Sequence, residues 1–233
     1  MTTIMRDINV FVDRQMVYRY LGLRKNTEPN QQLSAAIDKQ MEKVYELVEP
    51  LAGYSILPIT GIEDSNIFIG SSTLKSSVLA KVLSNCHHIA IFLITIGDKL
   101  ERKTTQLSNE GFMLEAYVLD AIGSVALVKA TNLLTDKIRT IAAGDNKITS
   151  VFCPGQTDWD ITQQETIFNI IDAHSIGVKL TDKFLMIPLK SLSGVSGIGK
   201  LENGQDKIKP CRFCDRENCP GRKEPFMPQA KCS

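Results

Sequence analysis

The sequence predicts an α+β protein built on a twisted, mostly antiparallel sheet flanked by helices, with a small cysteine-rich tail, and three observations carry that reading. Apolar residues at 114, 117, 118, 121, 122, 125, 128, 134, 138 and 141 sustain a helical period over roughly 111–143, closed by Gly144. The segment 89–96 is short, apolar, rich in β-branched residues and stopped by Gly97, the pattern of a buried strand. Strands and helices otherwise mix without the strict alternation that a doubly wound parallel sheet requires.

Taken in order, Ile8, Val10 and Val12 alternate as in a strand, and Met16, Val17, Tyr20 and Leu21 then fall on one face of a short helix that starts at Asp13 and stops at Gly22. Leu33, Ile37, Met41, Val44 and Val48 are spaced by threes and fours, an amphipathic helix over 31–49 that Pro50 ends. Short β-like pieces follow at 54–57 and 67–69, broken by Pro58, Gly61 and Gly70, and Leu74, Val78 and Val82 suggest another helix. After the long helix come a strand at 148–152, a Pro154-Gly155 turn, a helix from about Thr162 to Ala173 with Glu165 as capping-box partner, and a strand near 184–187. From Leu201 the apolar pattern stops. We therefore divide the chain into a body, 1–205, and a tail, 206–233.

The composition narrows the function. A chain of 233 residues with 43% hydrophobic content can bury a substantial core, which excludes disorder and a disulfide-stapled miniprotein. A formal charge of +1 gives no global footprint for nucleic acid or an anionic membrane. The tail, however, carries seven Lys/Arg against four Asp/Glu. No apolar run approaches the roughly 20 residues of a membrane span and no signal-peptide pattern opens the chain, so a cytoplasmic protein is expected.

The six cysteines are distributed unevenly: Cys86 and Cys153 lie in the body, while Cys211, Cys214, Cys219 and Cys232 crowd the tail. In a reducing compartment clustered thiols point to metal ligation rather than disulfides. Cys211-x2-Cys214 suits two ligands on one ion across a tight turn, with Cys219 near enough to be a third and the fourth open to Cys232, to Cys153 if the tail folds back, or to water or substrate. Spacing alone does not separate an iron–sulfur cluster from zinc. An RNA-binding zinc knuckle fits less well, because Cys219 stands where its histidine belongs. The stretch 191–199 (SLSGVSGIG) reads either as a cofactor loop or as a flexible strand connection, and it lacks both the G-x-G-x-x-G order and the P-loop ending. Asp158 and Asp160, with Trp159 between them, suit a helix cap with a half-buried ring as well as a ligand-facing role, and His87, His88 and His174 read as structural.

In this order and spacing, the Pro154-Gly155 turn, the following helix, Ile176-Gly177-Val178-Lys179-Leu180-Thr181, Phe184, Met186, Pro188 and Ser191-Leu192-Ser193-Gly194 resemble the activation domain of cobalamin-dependent methionine synthase. The segments 93–101 and 114–124 and the cysteine tail resemble its short stand-alone relatives, so the likeness spans nearly the full chain. The resemblance implies an accessory protein for reductive reactivation of a corrinoid-dependent methyltransferase. It would dock on the corrinoid-binding partner and meet cobalamin only through it, with S-adenosylmethionine as methyl donor and an iron–sulfur cluster or zinc on the tail. Pro154, Gly155, Gln156, Asp158, Trp159, Ser191, Ser193 and Gly194 would line the groove. Three departures bear on the methyl donor: the family's arginine before the Pro-Gly turn and its tyrosine after it are replaced by Val151 and Gln156, and its pair of tyrosines beyond the Ser-x-Ser-Gly turn has no counterpart in Val195–Lys200. Valine cannot supply the charge-assisted bonds that arginine makes to a carboxylate, which counts against S-adenosylmethionine binding.

Overall fold

In a computed structural model, which describes residues 1–225 apart from 25, 26, 143, 145, 203 and 223, the chain opens with a short strand β1 (Thr3–Met5) and a helix α1 (Arg14–Tyr20). Asp13 caps α1 by accepting from Met16 N at 2.9 Å, and Gly22 ends it at φ +80°. The strand expected at 8–12 is not formed. Ile8 and Val12 are buried, 4% and 1% exposed, but they lie in irregular chain without a ladder partner. Their alternation records packing rather than pairing. Helix α2 (Gln31–Leu47) is capped by Asn30, whose side chain accepts from Leu33 N at 2.9 Å.

Strand β2 (Leu51–Pro58) leads into an antiparallel meander of β3 (Gly61–Glu63), β4 (Asn66–Ile69) and β5 (Ser72–Lys75), then α3 (Ser77–Leu83) and the long strand β6 (Cys86–Thr95). Two helices follow, α4 (Lys99–Asn109) and α5 (Met113–Ile141). Helix α4 has no counterpart in the sequence reading because only Leu100 and Leu107 of it are buried, too sparse a stripe to show a period. The expected strand at 148–152 is reduced to β7 (Lys147–Ile148) plus one bridge, Phe152 to Val195. The helix expected from Thr162 begins as a 3-10 turn, Ile161–Gln163, and continues as α6 (Gln164–Ile170). Its cap is Asp160, which accepts from Thr162 N at 2.8 Å, so Glu165 does not hold the capping-box position. A small hairpin pairs β8 (Lys179–Leu180) with β9 (Met186–Ile187), and β10 (Ser191–Gly199) completes the fold.

The main sheet has the order β1-β2-β6-β10-β7, and every pairing in it is antiparallel. Both of its faces are covered. Ala90, Phe92 and Ile94 of β6 face a core shared with α1, α2, α4 and α5, while Ile89, Ile91 and Leu93 face a second core built with the meander, α3, α6, Phe152 and Trp159. Double coverage explains the apolar run Ile89–Ile94 within β6, since there neither set of alternating side chains meets water. The expected class, α+β with a mostly antiparallel sheet flanked by helices, is the one observed. Among the described residues no helix is long and apolar enough to cross a membrane.

Candidate functional site

The residues after Phe152 form a tight double turn. Gly155, at φ +82°, donates its N–H to Trp159 O at 2.7 Å, and Gln156 closes the loop by accepting from Cys153 N at 3.0 Å through its side chain. Pro154 is buried, Gly155 is exposed, and Thr157 holds a left-handed φ of +59° without being glycine. Asp158 is exposed, but its carboxylate is engaged in hydrogen bonds within the fold. Ser76 Oγ donates to its Oδ1 at 2.5 Å, and the backbone N–H and hydroxyl of Ser77 donate to Oδ2 at 2.7 Å each. The cap role expected for Asp158 is thus real, but the helix it serves is α3, eighty residues earlier, rather than its own. Partial burial pushes its carboxyl up, and the opposing hydrogen bonds from Ser76 and Ser77 prevail, holding it below the usual carboxylate range.

Trp159 is 2% exposed, and its Nε1 donates to Gln163 Oε1 at 3.1 Å. Gln163 in turn accepts from Lys75 N and donates to Lys75 O, both at 2.7 Å, in the manner of a strand residue. The 153–164 segment is thereby fastened to the junction of β5 and α3. Gln163 and Ser77 carried no signal in the sequence analysis, because glutamine and serine become structural only when a distant backbone presents the matching group. Ser76 is different: as a serine just before a helical apolar run, it could have been read as an N-cap.

Ser191, Ser193 and Gly194, read as a loop, lie instead in β10 near the centre of the sheet, paired with β6 from Ser191↔Thr95 onward. That expectation is corrected for a physical reason: the backbone is held on one side by β6, and glycines and serines are required where neighbours come close. A Cβ at Gly194 would stand 3.0 Å from both Phe152 O and Phe92 Cζ. Ser191 donates to Pro188 O at 2.7 Å, and Ser193 Oγ stands 3.4 Å from Gln164 Oε1. Gln164, 3% exposed, also donates to Phe184 O at 3.0 Å. The structure therefore brings the two sequence-selected segments together through Phe152–Val195 and Ser193–Gln164, with most of their side chains turned inward.

The exposed surface beside them is apolar. Leu185, Ile187 and Leu189 are 57%, 50% and 59% exposed and alternate with half-buried Met186 and buried Pro188, so the segment turns an aliphatic row outward. It is fixed to the helices by Leu189 N donating to Glu101 Oε2 at 2.8 Å and by Lys190 Nζ, which reaches Asp120 Oδ1 at 2.9 Å and Ser124 Oγ at 2.8 Å.

In the tail Cys211, Cys214 and Cys219 are half-buried, and Cys232 lies outside the described residues. Among the described residues no three His, Cys, Asp or Glu side chains are gathered where they could hold a metal ion. The carbonyls of Cys211 and Cys214 instead accept from the guanidinium of Arg222, at 2.8 Å each. Ile208 and Phe213 pack against the second core, and Gln205 bonds Asn85 at 2.8 Å, so this segment lies against the body.

No family model matches the chain, and no curated protein matches it in sequence. A solved structure does match its fold. The chain is similar to the MetH reactivation domain, solved bound to AdoHcy, with a TM-score of 0.65 over 84% of this chain and 78% of that one. At 13% sequence identity the likeness speaks for the architecture alone.

Proposed function

We propose that this protein is an accessory factor for reductive reactivation of a corrinoid-dependent methyltransferase, acting by docking on the corrinoid-binding partner. The observation that carries the reading is the fold likeness to the MetH reactivation domain over 84% of the chain, joined to the matching order of sequence segments from Pro154 to Gly194. The chemistry at stake is one-electron reduction of cob(II) coupled to methyl transfer from a sulfonium donor. What this chain would supply is positioning: a rigid surface beside the start of β10 that holds two reactants face to face and excludes water. The aliphatic row of Leu185, Ile187 and Leu189 next to it supports a docking surface there.

An S-adenosyl ligand would have to bind near Gly155, Gln156 and the start of β10 without help from two positions. Val151 is half-buried against the helical core, and the Gln156 amide closes the turn on Cys153. The first test mixes the purified protein with a corrinoid methyltransferase poised at cob(II) and a low-potential reductant, with and without S-adenosylmethionine. Recovery of methyltransferase activity is the expected result. An unchanged corrinoid spectrum under all conditions overturns the proposal.

A second reading, a non-catalytic binding or electron-transfer module, is favoured by one observation: the Asp158 carboxylate is taken up by Ser76 and Ser77 and the Trp159 ring is buried. For both readings the tail cysteines Cys211, Cys214, Cys219 and Cys232 are the candidate ligands for iron–sulfur or zinc. Metal analysis after anaerobic purification decides. Iron with broad visible absorption supports redox work, and one colourless zinc per chain supports a scaffold.

A further inference from the structure

The tail holds a second feature that neither proposed function uses. Arg222 donates Nη1 to Cys211 O at 2.8 Å, Nη2 to Cys214 O at 2.8 Å and to Arg216 O at 2.7 Å, and Nε to Arg216 O at 3.2 Å. Its own N–H bonds Cys219 O at 3.0 Å, and its carbonyl accepts from Arg19 of α1. Three main-chain carbonyls thus converge on one planar cation, from the two cysteines of the C-x2-C turn and the residue two beyond them. Next to it, a Cβ at Gly221 would stand 3.2 Å from Tyr20 Oη and 3.7 Å from Cys219 Sγ, so α1 and the last of these cysteines close around the same point.

We propose that Arg222, rather than a metal ion, is what holds the 211–216 turn folded and ties it to α1, so that a thiophilic metal would meet cysteines already carried on a preformed loop. A structural metal site in a small module ordinarily works the other way, with the ligand loop unfolded until the ion arrives. Here the folding cation is covalently part of the chain. Guanidinium is suited to the task because it offers five donors in a fixed plane, enough for these four bonds. Each bond is charge-assisted, stronger than a neutral amide pair. Lysine would offer a point charge that cannot span three carbonyls in this plane.

The test is hydrogen–deuterium exchange read by mass spectrometry on the full-length protein. It compares untreated protein, protein stripped with a chelator under reducing conditions, and the variants Arg222→Ala and Arg222→Lys. Expected is unchanged protection of the 211–216 amides after chelation, and exchange faster by about tenfold or more in Arg222→Ala, the scale of losing one charge-assisted hydrogen bond. Arg222→Lys restores little of it. Peptides from β6 and β10 keep their protection in every sample, which shows that the body remains folded. Arg19→Ala, which removes only the tie to α1, gives an intermediate increase. Chelation alone exposing the turn, or Arg222→Ala leaving it protected, overturns the proposal.

Discussion

Strands β6 and β10 pair residue for residue from Ser191↔Thr95 to Ile198↔His88, yet they are opposites in composition. One is a nearly unbroken apolar run; the other alternates serine and glycine with only Leu192, Val195 and Ile198 as sizeable side chains. Both are buried almost throughout. The difference shows two ways to occupy the middle of a sheet. Strand β6 fills space on both faces with its own side chains, whereas β10 makes room for the side chains and backbone of others. At Gly197 an added Cβ would stand 2.5 Å from Cys86 Sγ and overlap the end of Leu83, and at Gly199 it would overlap Asn85 O and lie 2.7 Å from Cys86 Cα.

The comparison breaks most visibly when volume is moved between the strands. Phe92→Ala empties a fully buried site in β6 and is expected to cost about 4 kcal/mol by denaturant unfolding. Gly199→Ala adds a single methyl group where backbone atoms stand in its way, and about 3 kcal/mol is expected. Gly197→Ala meets mainly the far ends of Leu83 and Cys86, which can turn aside, and about 1 kcal/mol is expected. A Gly199→Ala protein as stable as the parent would show that β10 is a loosely held connection after all.

These residues also explain what the sequence disclosed. Helices α2 and α5 and strand β6 were legible because their apolar periods are complete and each has a clear stop. Strand β10 was not, because strand preference measures fit to a half-buried pleat, and here the fit is set by Phe92, Phe152 and Asn85 from elsewhere in the chain. Helix α4 was hidden by having two buried residues in eleven. At the candidate site the turn at Pro154-Gly155 was legible, but Trp159 stood open between a half-buried and a ligand-facing ring, and the hold of Asp158 on Ser76 and Ser77 was not legible: a side-chain bond across some eighty residues leaves no local pattern.

That bond offers a smaller and sharper test of the second core. Asp158→Asn keeps the shape but loses charge at the N-terminus of α3, and a cost of about 1 kcal/mol is expected at neutral pH, the scale of a helix cap. The parent carboxyl is held below its ordinary range, so its contribution is complete above the unfolded-state pKa and fades as pH falls through the folded one. The difference between parent and variant should therefore shrink in acid, below about pH 4. A difference that stays constant down to strong acid would mean that the charge is not what Ser76 and Ser77 recognise.

The last effect is silent at neutral pH and lies at the other end of the pH scale, where β6 and β10 meet. Cys86 opens β6 opposite Gly199, and burial under the side-chain-free backbone of β10 pushes its thiol from 9.0 up to about 12. An acid whose folded pKa is raised contributes stability that is fully present below its unfolded pKa and is lost as pH rises. The window here runs from 9 to about 12: the unfolded chain gains a thiolate that the folded one refuses. Cys86→Ala removes this term, so the stability of parent relative to variant should decline across that window while their difference stays flat below it. Comparing the two proteins cancels the lysines and tyrosines that titrate in the same range. Alkylation offers an independent reading, since a thiol that stays protonated and covered should react with iodoacetamide at pH 9 only as fast as the chain opens. Rapid labelling of Cys86 in the native protein would show that β10 leaves a gap above it rather than closing it.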